Sequence, residues 1–410
     1  YDRAIEHNKQ ALIIAQDINY RQWEGSILGN LGRLYGDLEN HERAIELHQQ
    51  SLQIAREVGD LRGEATSLSL ISYSYNALDQ PERALEFNQQ AISVDREIGN
   101  RRGEASTLGI QGVSLVQANK IVQAENVLRQ SLDIFESVLT ELSDNQLISA
   151  IDVEIPTYSN LEIVQIAQGK IQEALITTER RRAQAFARQL ITRNTAVSAL
   201  SETTDNPYTY IPTVSEIQKI AQDTEITLVE YSLLKDALHI WVVQPSGNIE
   251  FRTIEFNSTD DAILTDVTNL NRMISNLSRQ PSTLDNIISD TRATINIIGT
   301  NTNTDQLQEL HLLHIEPIAD LLPTNPTDKV AFIPQGSLFL VPFAALQDSD
   351  GTYLIEQHTI LTAPSIQVLG LAHEAAQSRA TSINKNTLIV GNPTMPEVTI
   401  PAENGDLTQI

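Results

Sequence analysis

The chain has 410 residues, which is enough for two or three domains with apolar cores of their own. Its formal net charge of −25 would repel a phosphate backbone, so we expect no nucleic-acid partner. The absence of cysteine excludes disulfides, thiolate metal sites and a cysteine nucleophile within this sequence. No apolar run reaches the roughly 18 residues of a membrane span. We expect a cytoplasmic protein, with a signal peptide left open because the sequence starts at Tyr1.

One pattern recurs four times at a spacing of forty residues in the first third of the chain. Its alanines are Ala4, Ala44, Ala84 and Ala124. A fixed period is typical of stacked supersecondary units, since one unit cannot bury its own apolar face. Within one period, residues 23–36 and 42–58 each carry an apolar stripe at helical spacing, and Gly59 suits a left-handed cap. The repeats therefore predict pairs of antiparallel helices.

Small residues recur in register with these alanines. Gly32, Ser72 and Gly112 precede Ala44, Ala84 and Ala124 by twelve residues. We expect small side chains at both positions to let the paired helices approach closely. The period then breaks, because the next comparable alanine is Ala174, fifty residues after Ala124. This break predicts an insertion at Glu136–Pro156, followed by an irregular helix pair at 160–169 and 171–190 that caps the array.

The spacing of small residues, tyrosines and alanines resembles the tetratricopeptide repeat in its forty-residue form, over about residues 1–136. Leu115 stands where the pattern has tyrosine. The resemblance implies an α-solenoid over residues 1–190 that acts as a binding scaffold, with the first helix of each pair facing a concave groove. The candidate partner-binding residues on these helices are Asn30, Arg33, Asp37, Thr66, Ser69, Tyr73, Asn76, Ser106 and Gln117. Small and polar side chains predominate there and leave room for a protein or peptide partner; a solvated surface without a ligand is the alternative.

The second half changes character after a polar, proline-bounded linker at residues 191–212. Short β-rich runs at 226–233, 238–243 and 249–256 are separated by turn residues and predict an antiparallel meander. Residues 260–322 are mainly helical in pattern. Further strands are predicted at 330–333, 338–340, 353–355, 359–362 and 387–390, with a helix at 366–379. Residues 213–410 are therefore predicted to form a mixed α/β domain.

Several phrases of this half resemble the N-terminal part of the CHAT domain, a caspase-like module found with tetratricopeptide arrays, widely in bacteria. They are Glu230-Tyr231, 332–338, 341–346, 353–356, 363–365 and 390–393, with 179–185 resembling the segment that joins repeats to CHAT domains. The resemblance implies a piece of a longer bacterial protein, cut at both ends. We expect a protein-interaction scaffold joined to an incomplete CHAT module, serving as a sensor or regulator.

The resemblance also defines the chemistry to look for. Peptidases of this kind use the histidine of a His-Gly pair as the base and a later cysteine as the nucleophile. None of the eight histidines is followed by glycine and no cysteine is present, so we predict no catalytic residue in this chain. The alternative is that the intact parent is an active cysteine peptidase regulated by its repeats. We predict neither a cofactor nor a metal.

Two clusters have competing interpretations. His311 and His314 share one face of a predicted helix and could bind metal, but two half-buried helical histidines are favoured because no carboxylate has matching spacing. The arginines of 180–182, together with Arg188 and Arg193, could bind an anionic partner, but a solvated helix paired with acidic neighbours is favoured. We also expect the helix at 171–190 to pack on both the last regular repeat and the strand-rich domain, and so to couple them.

Overall fold

The computed structural model describes residues 1–139, 144–193, 211–234, 237–255, 304–380, 399–401 and 407–409. Residues 1–369 form one compact unit and residues 370–410 a second. Two sets of expectations, the linker from residue 194 onward and the predicted elements at 260–303 and 387–390, lie outside the described residues. None of the described helices is both long and apolar enough to cross a bilayer.

The N-terminal part is a row of antiparallel helices in which each helix packs against the next. The helices are α1 (Asp2–Asp17), α2 (Arg21–Asp37), α3 (His41–Val58), α4 (Leu61–Ala77), α5 (Pro81–Glu97), α6 (Arg101–Gln117), α7 (Ile121–Leu139), α8 (Asp144–Ala167) and α9 (Ile171–Arg193). The alternate helices α2, α4, α6 and α8 also contact one another in sequence. The predicted helical solenoid is thereby confirmed.

The turn chemistry predicted at the helix ends is present. Gly59 ends α3 in the left-handed conformation with φ of 73°. Asp60 then starts α4, because its side chain accepts the backbone N–H of Gly63. Pro81 occupies the first turn of α5, where its missing N–H leaves no partner unsatisfied.

The small residues pack one helical turn away from the alanines with which they are in register. Ala44, Ala84 and Ala124 are fully buried. A Cβ built on Gly36 would lie 3.9 Å from the Cβ of Ala44, whereas one on Gly32 would lie 2.5 Å from Cε1 of His48. Because α2 and α3 run antiparallel, the residue nearer the turn meets Ala44 and the earlier one meets the residue a turn later.

The predicted insertion at Glu136–Pro156 is wrong. Helix α7 runs on to Leu139, α8 already begins at Asp144, and Pro156 lies inside α8. The ten residues that break the forty-residue period therefore lengthen helices. The pair α8 and α9 continues the stack.

The α/β part is built on one five-stranded sheet of order β3-β2-β1-β4-β5. Its elements are α10 (Val214–Thr224), β1 (Ile226–Leu233), β2 (Ala237–Val243), β3 (Ile249–Glu255), α11 (Thr304–His314), β4 (Lys329–Ile333), α12 (Leu354–Gln357), β5 (Thr359–Thr362) and α13 (Ile366–Ala380). Strands β1, β2 and β3 form the predicted antiparallel meander, while β4 runs parallel to both β1 and β5. In the second unit, β6 (Thr399–Pro401) pairs with β7 (Leu407–Gln409).

Two predicted strands are wrong. Leu338–Leu340 belongs to a 3₁₀ turn that spans Gly336–Leu340 and buries Leu338 in the core. Prolines on both sides, Pro334 and Pro342, leave too short a segment to pair in a ladder. Tyr353–Ile355 falls instead at the start of α12, and Tyr353 keeps only an isolated bridge to Gln347.

The sheet packs against the repeats through α9. Ala174 and Leu175 share an apolar cluster with Ile217 of α10 and Trp241 of β2. The indole Nε1 of Trp241 donates a hydrogen bond to the carbonyl oxygen of Ile171 at 3.1 Å. Because α9 also packs along α8, one face of this helix contacts the solenoid and another contacts the sheet. The expectation that this helix contacts both parts is confirmed.

Candidate functional site

A groove lies between α2 and α4, with α3 as its floor. It has a volume of about 290 Å³ and is referred to below as the α2–α4 groove. Gly25 lets α2 lie close to α3 at this floor, since a Cβ on Gly25 would lie 3.0 Å from Cγ2 of Ile54. Hydroxyl groups line its floor: Ser67 donates to Ser51 at 3.1 Å, and Ser51 donates to the carbonyl oxygen of Gly25 at 2.9 Å.

Two arginines give this groove a local positive charge. Arg33 of α2 and Arg62 of α4 both line it. Within the described part of the chain, neither guanidinium group makes a salt bridge or a side-chain hydrogen bond. Asp60 is the only acidic residue among those lining the groove, and its side chain already caps α4. The groove therefore carries two guanidinium groups that lie outside any ion pair of the described residues, although Asp60 is in the lining and Asp95 attracts Arg62 electrostatically.

The structure brings three of the nine predicted partner-binding residues together. Asn30, Arg33 and Thr66 line the α2–α4 groove. Asp37 and Tyr73 are exposed outside its lining. Sequence reasoning missed Arg62, although it stands forty residues before Arg102 and so occupies a repeat-equivalent helix start.

The other predicted positions are engaged within the solenoid. Thr107 donates a hydrogen bond to the Ser69 hydroxyl at 3.3 Å, and Ser106 is half-buried. Asn76 donates to the carbonyl oxygen of Ile110 at 3.2 Å, and Gln117 donates to the carbonyl oxygen of Asn76 at 2.9 Å. These bonds tie α4 to α6 where an open groove was expected.

A second polar site, fully buried, lies where the solenoid meets the sheet. It is called the junction cluster and consists of Glu162 on α8, Glu179, Arg181 and Arg182 on α9, Glu230 and Ser232 on β1, and His239 on β2. Sequence reasoning did not assemble it. The sequence feature that could have pointed to this cluster is a charged residue inside an apolar segment, such as Glu230 between Val229 and Tyr231.

Arg182 binds the ends of two parallel strands. Its Nε donates to Oε1 of Glu230 at 2.9 Å, and its terminal nitrogens donate to the carbonyl oxygens of Tyr231, Ile333 and Pro334. Parallel strands β1 and β4 end at the same edge of the sheet, so their last carbonyl groups lie close together there. One guanidinium group, with its five N–H donors, satisfies this set.

Arg181 links α8, β1 and the segment after β4. It donates to the hydroxyls of Ser159 at 2.9 Å and Ser232 at 2.8 Å, and to Oε1 of Gln335 at 2.8 Å. Oε2 of Glu162 lies 3.4 Å from its Nη2. Burial acts to raise the pKa of Glu162, but Arg181 and the other donors more than offset it and hold that pKa below its ordinary value.

The remaining carboxyl groups face one another. Glu179 accepts the backbone N–H groups of Ile366 and Gln367, both at 3.3 Å, and so fixes the start of α13. Burial raises the pKa of Glu179 despite the nearby Arg182. Burial and then the charge of Glu179 raise the pKa of Glu230 well above its ordinary value.

The expected solvated arginine helix is wrong for Arg181 and Arg182, which are buried, but the expected acidic partners are present. Arg180 pairs with Asp133 at 2.7 Å and with Glu136 at 2.6 Å on α7. The side chains of Arg181 and Arg182 extend inward because the buried strand-end carbonyls and carboxylates there require hydrogen-bond donors. This connectivity makes α9 a structural link between the last repeats and the sheet.

The two histidines of α11 are more deeply buried than expected. Nδ1 of His314 lies 2.7 Å from the carbonyl oxygen of Leu310, and burial lowers its pKa to about 4. His311 is also buried. No group of three or more metal-ligating side chains occurs among the described residues.

Two family models match this chain. The CHAT domain matches residues 304–409, and the tetratricopeptide repeat matches residues 1–57. The chain therefore contains tetratricopeptide repeats and a CHAT domain. The predicted CHAT boundary at residue 213 lies upstream of the matched segment and stays a prediction.

Curated relatives match the repeats. Tetratricopeptide repeat protein 28 of Mus musculus is 29% identical over 140 residues, which cover 34% of this chain and 6% of that protein. The Homo sapiens protein of the same name is 28% identical over 140 residues, covering 34% and 5% respectively. The matched segment is thus a small part of both relatives. Among solved structures, BtubC (BKLC) from P. vanneervenii matches with a TM-score of 0.32 and 16% identity, over 50% of this chain and 94% of that one.

Proposed function

We propose that the repeats bind an acidic peptide segment of a protein partner in the α2–α4 groove. The observation that carries the proposal is the pair of arginines, Arg33 and Arg62, which line the groove without an ion pair among the described residues. An acidic partner would supply carboxylates that bond directly to both guanidinium groups, and such charge-assisted hydrogen bonds are among the stronger polar contacts. Tetratricopeptide repeats generally bind proteins or peptides, which supports this assignment.

The groove also fits the backbone of an extended peptide. Gly25 and Gly29 add no side chain to the wall of α2, and the exposed Asn30 of the same helix also lines the groove. An amide can donate to and accept from a peptide bond. Arg33 and Arg62 stand on opposite walls, so a peptide between them can meet both cations.

The proposed role of the whole is that of a sensor or regulator in a larger, bacterial protein. Partner binding at the repeats would act on the CHAT domain through α9, which contacts both the solenoid and the sheet. A bound partner shifts such an arrangement only if it binds two conformations with different affinity. In this proposal the α2–α4 groove binds the partner, and α9 transmits the effect of binding to the sheet.

The second candidate function is a caspase-like cysteine peptidase, favoured by the CHAT match at residues 304–409. Its cysteine nucleophile would have to be supplied by residues outside this sequence, which has none. In that protein the repeats would regulate cleavage. Peptidase assays of the full-length protein with a thiol-alkylating control distinguish this candidate from a scaffold without activity.

The test of the groove is peptide binding measured by fluorescence polarisation. A labelled poly-glutamate peptide is titrated with the wild-type protein, with Arg33→Glu/Arg62→Glu, and with Arg3→Glu/Arg43→Glu as a control of equal charge change outside the groove. Loss of at least tenfold in affinity for the groove variant alone supports the proposal. An equal loss in both variants would mean that only overall charge matters and would overturn it.

A further inference from the structure

The junction cluster contains more carboxyl groups than guanidinium groups. Glu162, Glu179 and Glu230 face Arg181 and Arg182, and all five side chains are buried. Arg181 and Glu162 balance each other. The remaining guanidinium, Arg182, lies 2.9 Å from Glu230 and 3.9 Å from Glu179. One negative charge is therefore left over if every carboxyl group in this set is ionised.

The hydrogen bonds indicate which carboxyl group can take a proton and so remove the excess negative charge. Oε1 of Glu230 accepts from Arg182, but Oε2 of Glu230 is buried and receives no donor from any described residue. Glu179 is its neighbour, because Nε of Arg182 lies 2.9 Å from Oε1 of Glu230 and 3.9 Å from Oε1 of Glu179. Both oxygens of Glu179 accept the N–H groups that start α13. Two carboxylate groups have no proton to share, so a hydrogen bond between them requires that one be protonated.

We propose that Glu179 and Glu230 together bind one proton, and that this proton holds α9 against the end of β1 and the start of α13. The proton sits on Oε2 of Glu230, which then donates to the Glu179 carboxylate. Glu179 remains charged and keeps its bonds to the N–H groups of Ile366 and Gln367. The cluster is then electrically neutral, as burial requires. This proton site is independent of the α2–α4 groove.

His239 also lies in the cluster, but its surroundings do not favour it as the site of the neutralising proton. Its Nδ1 lies 2.7 Å from Oε1 of Glu162. Its Nε2 is buried without a hydrogen-bond partner among the described residues, and the rings of Trp241 and Phe251 lie against the imidazole. An N–H at this buried nitrogen would have no acceptor among the described residues.

Loss of the proton leaves two adjacent carboxylates with one guanidinium at the contact of α9, β1 and α13. Burial, first, and mutual repulsion raise the pKa of Glu230 above its ordinary value near 4.5. A group with a raised folded-state pKa contributes stability that is complete below the ordinary value and is lost as pH rises through the raised one. The contact of α9, β1 and α13 therefore weakens as the pH rises from the ordinary pKa of a glutamate toward the raised pKa of Glu230.

The experiment compares urea unfolding of the wild-type 410-residue protein and three variants from about pH 5 to about pH 9. Glu230→Gln keeps a donor toward Glu179 without a titratable proton. His239→Gln tests the competing proton site, and Glu57→Gln, in an exposed ion pair with Arg21, is the matched control. The ratio of the equilibrium constant for unfolding of the wild-type protein to that of Glu230→Gln is expected to rise by up to tenfold per pH unit. His239→Gln and Glu57→Gln retain the wild-type dependence.

An unchanged pH dependence in Glu230→Gln, or its disappearance in His239→Gln alone, overturns the proposal. Infrared spectroscopy of the wild-type protein gives a second readout that needs no variant to fold. A protonated buried carboxyl group has a C=O stretching band separate from those of carboxylates. The proposal requires that band at about pH 6, where an ordinary glutamate is ionised, and its loss as the pH is raised further; absence of the band at about pH 6 overturns the proposal.

Discussion

The imidazole of His48 occupies the space that a side chain on Gly32 would fill. A Cβ on Gly32 would lie 2.5 Å from Cε1 of His48, a ring that is itself only 2% exposed. The same pair recurs eighty residues later, where a Cβ on Gly112 would lie 2.4 Å from Cδ2 of Leu128. In the α2–α3 and α6–α7 pairs, a large side chain therefore packs directly on a glycine of the neighbouring helix.

Substitution of that glycine tests the contact. Gly32→Ala is expected to lower the free energy of unfolding by about 1–3 kcal/mol, because the enclosed imidazole must move. Gly36→Ala is the matched control on the same helix: its Cβ would meet Ala44 at an ordinary 3.9 Å, and alanine is the better helix former. Urea unfolding measures both. Equal destabilisation of the two variants would contradict this account.

His48 also makes the first repeats sensitive to acid. Burial lowers its pKa to about 4, below the ordinary value of 6.5. Between these values the unfolded chain binds a proton that the folded one does not, so stability falls as pH falls. The expected loss is about 3 kcal/mol by pH 4. His48→Leu copies the Gly112–Leu128 pair and should reduce the pH dependence, whereas His7→Gln, at an exposed site, should leave it unchanged.

Ala84 tests the predicted repeat assignment. It is fully buried between helices, so Ala84→Leu should overpack the contact and lower stability by about 1–3 kcal/mol. Ala77→Leu, at an exposed position of α4, adds the same atoms without that cost. Thermal unfolding measures both variants, and an unchanged melting temperature for Ala84→Leu would contradict the assignment.

Arg182 is expected to be the most sensitive residue of the junction. Arg182→Met removes the donors to Glu230 and to three strand-end carbonyls, and should cost about 3–5 kcal/mol because buried acceptors are left without partners. Arg43→Met removes an exposed ion pair with Glu46 and should cost no more than about 1 kcal/mol. Chemical denaturation compares them, and a similar small loss in both would argue against a structural role for the junction cluster.

Coupling between the solenoid and the sheet can be measured by hydrogen exchange. If a peptide bound in the α2–α4 groove acts on the sheet, hydrogen exchange should change across the described parts of residues 171–233, which contain α9 and β1. The comparison uses the 410-residue protein with and without saturating acidic peptide. Unchanged protection in a complex of demonstrated affinity would exclude the coupling but not the binding.

The sequence predicted local structure well where a periodic pattern recurred. The forty-residue repeat placed α2 to α7, and the turn residues around β1, β2 and β3 placed the meander, because both depend on neighbours in the chain. The pattern did not distinguish short apolar runs, so Leu338–Leu340 was predicted as a strand. It also could not show that Asn76 bonds to α6, since that hydrogen bond joins residues 34 positions apart.

The junction cluster was beyond prediction for the same reason. Arg182 meets Glu230 across 48 positions and Pro334 across 152, and no local spacing records such contacts. Sequence reasoning weighed the arginines of 180–182 by their exposure on an isolated helix. Only the fold shows that the ends of β1 and β4 lie beside them.

The two tryptophans of this chain lie in opposite environments, and this makes the protein its own optical probe. Trp23 on α2 is 55% exposed, whereas Trp241 is enclosed and bound through its indole to the start of α9. Emission from the first is accessible to aqueous quenchers and emission from the second is shielded. In a Trp23→Phe background, a red shift of the remaining emission would therefore report separation of the sheet from the solenoid without any attached label.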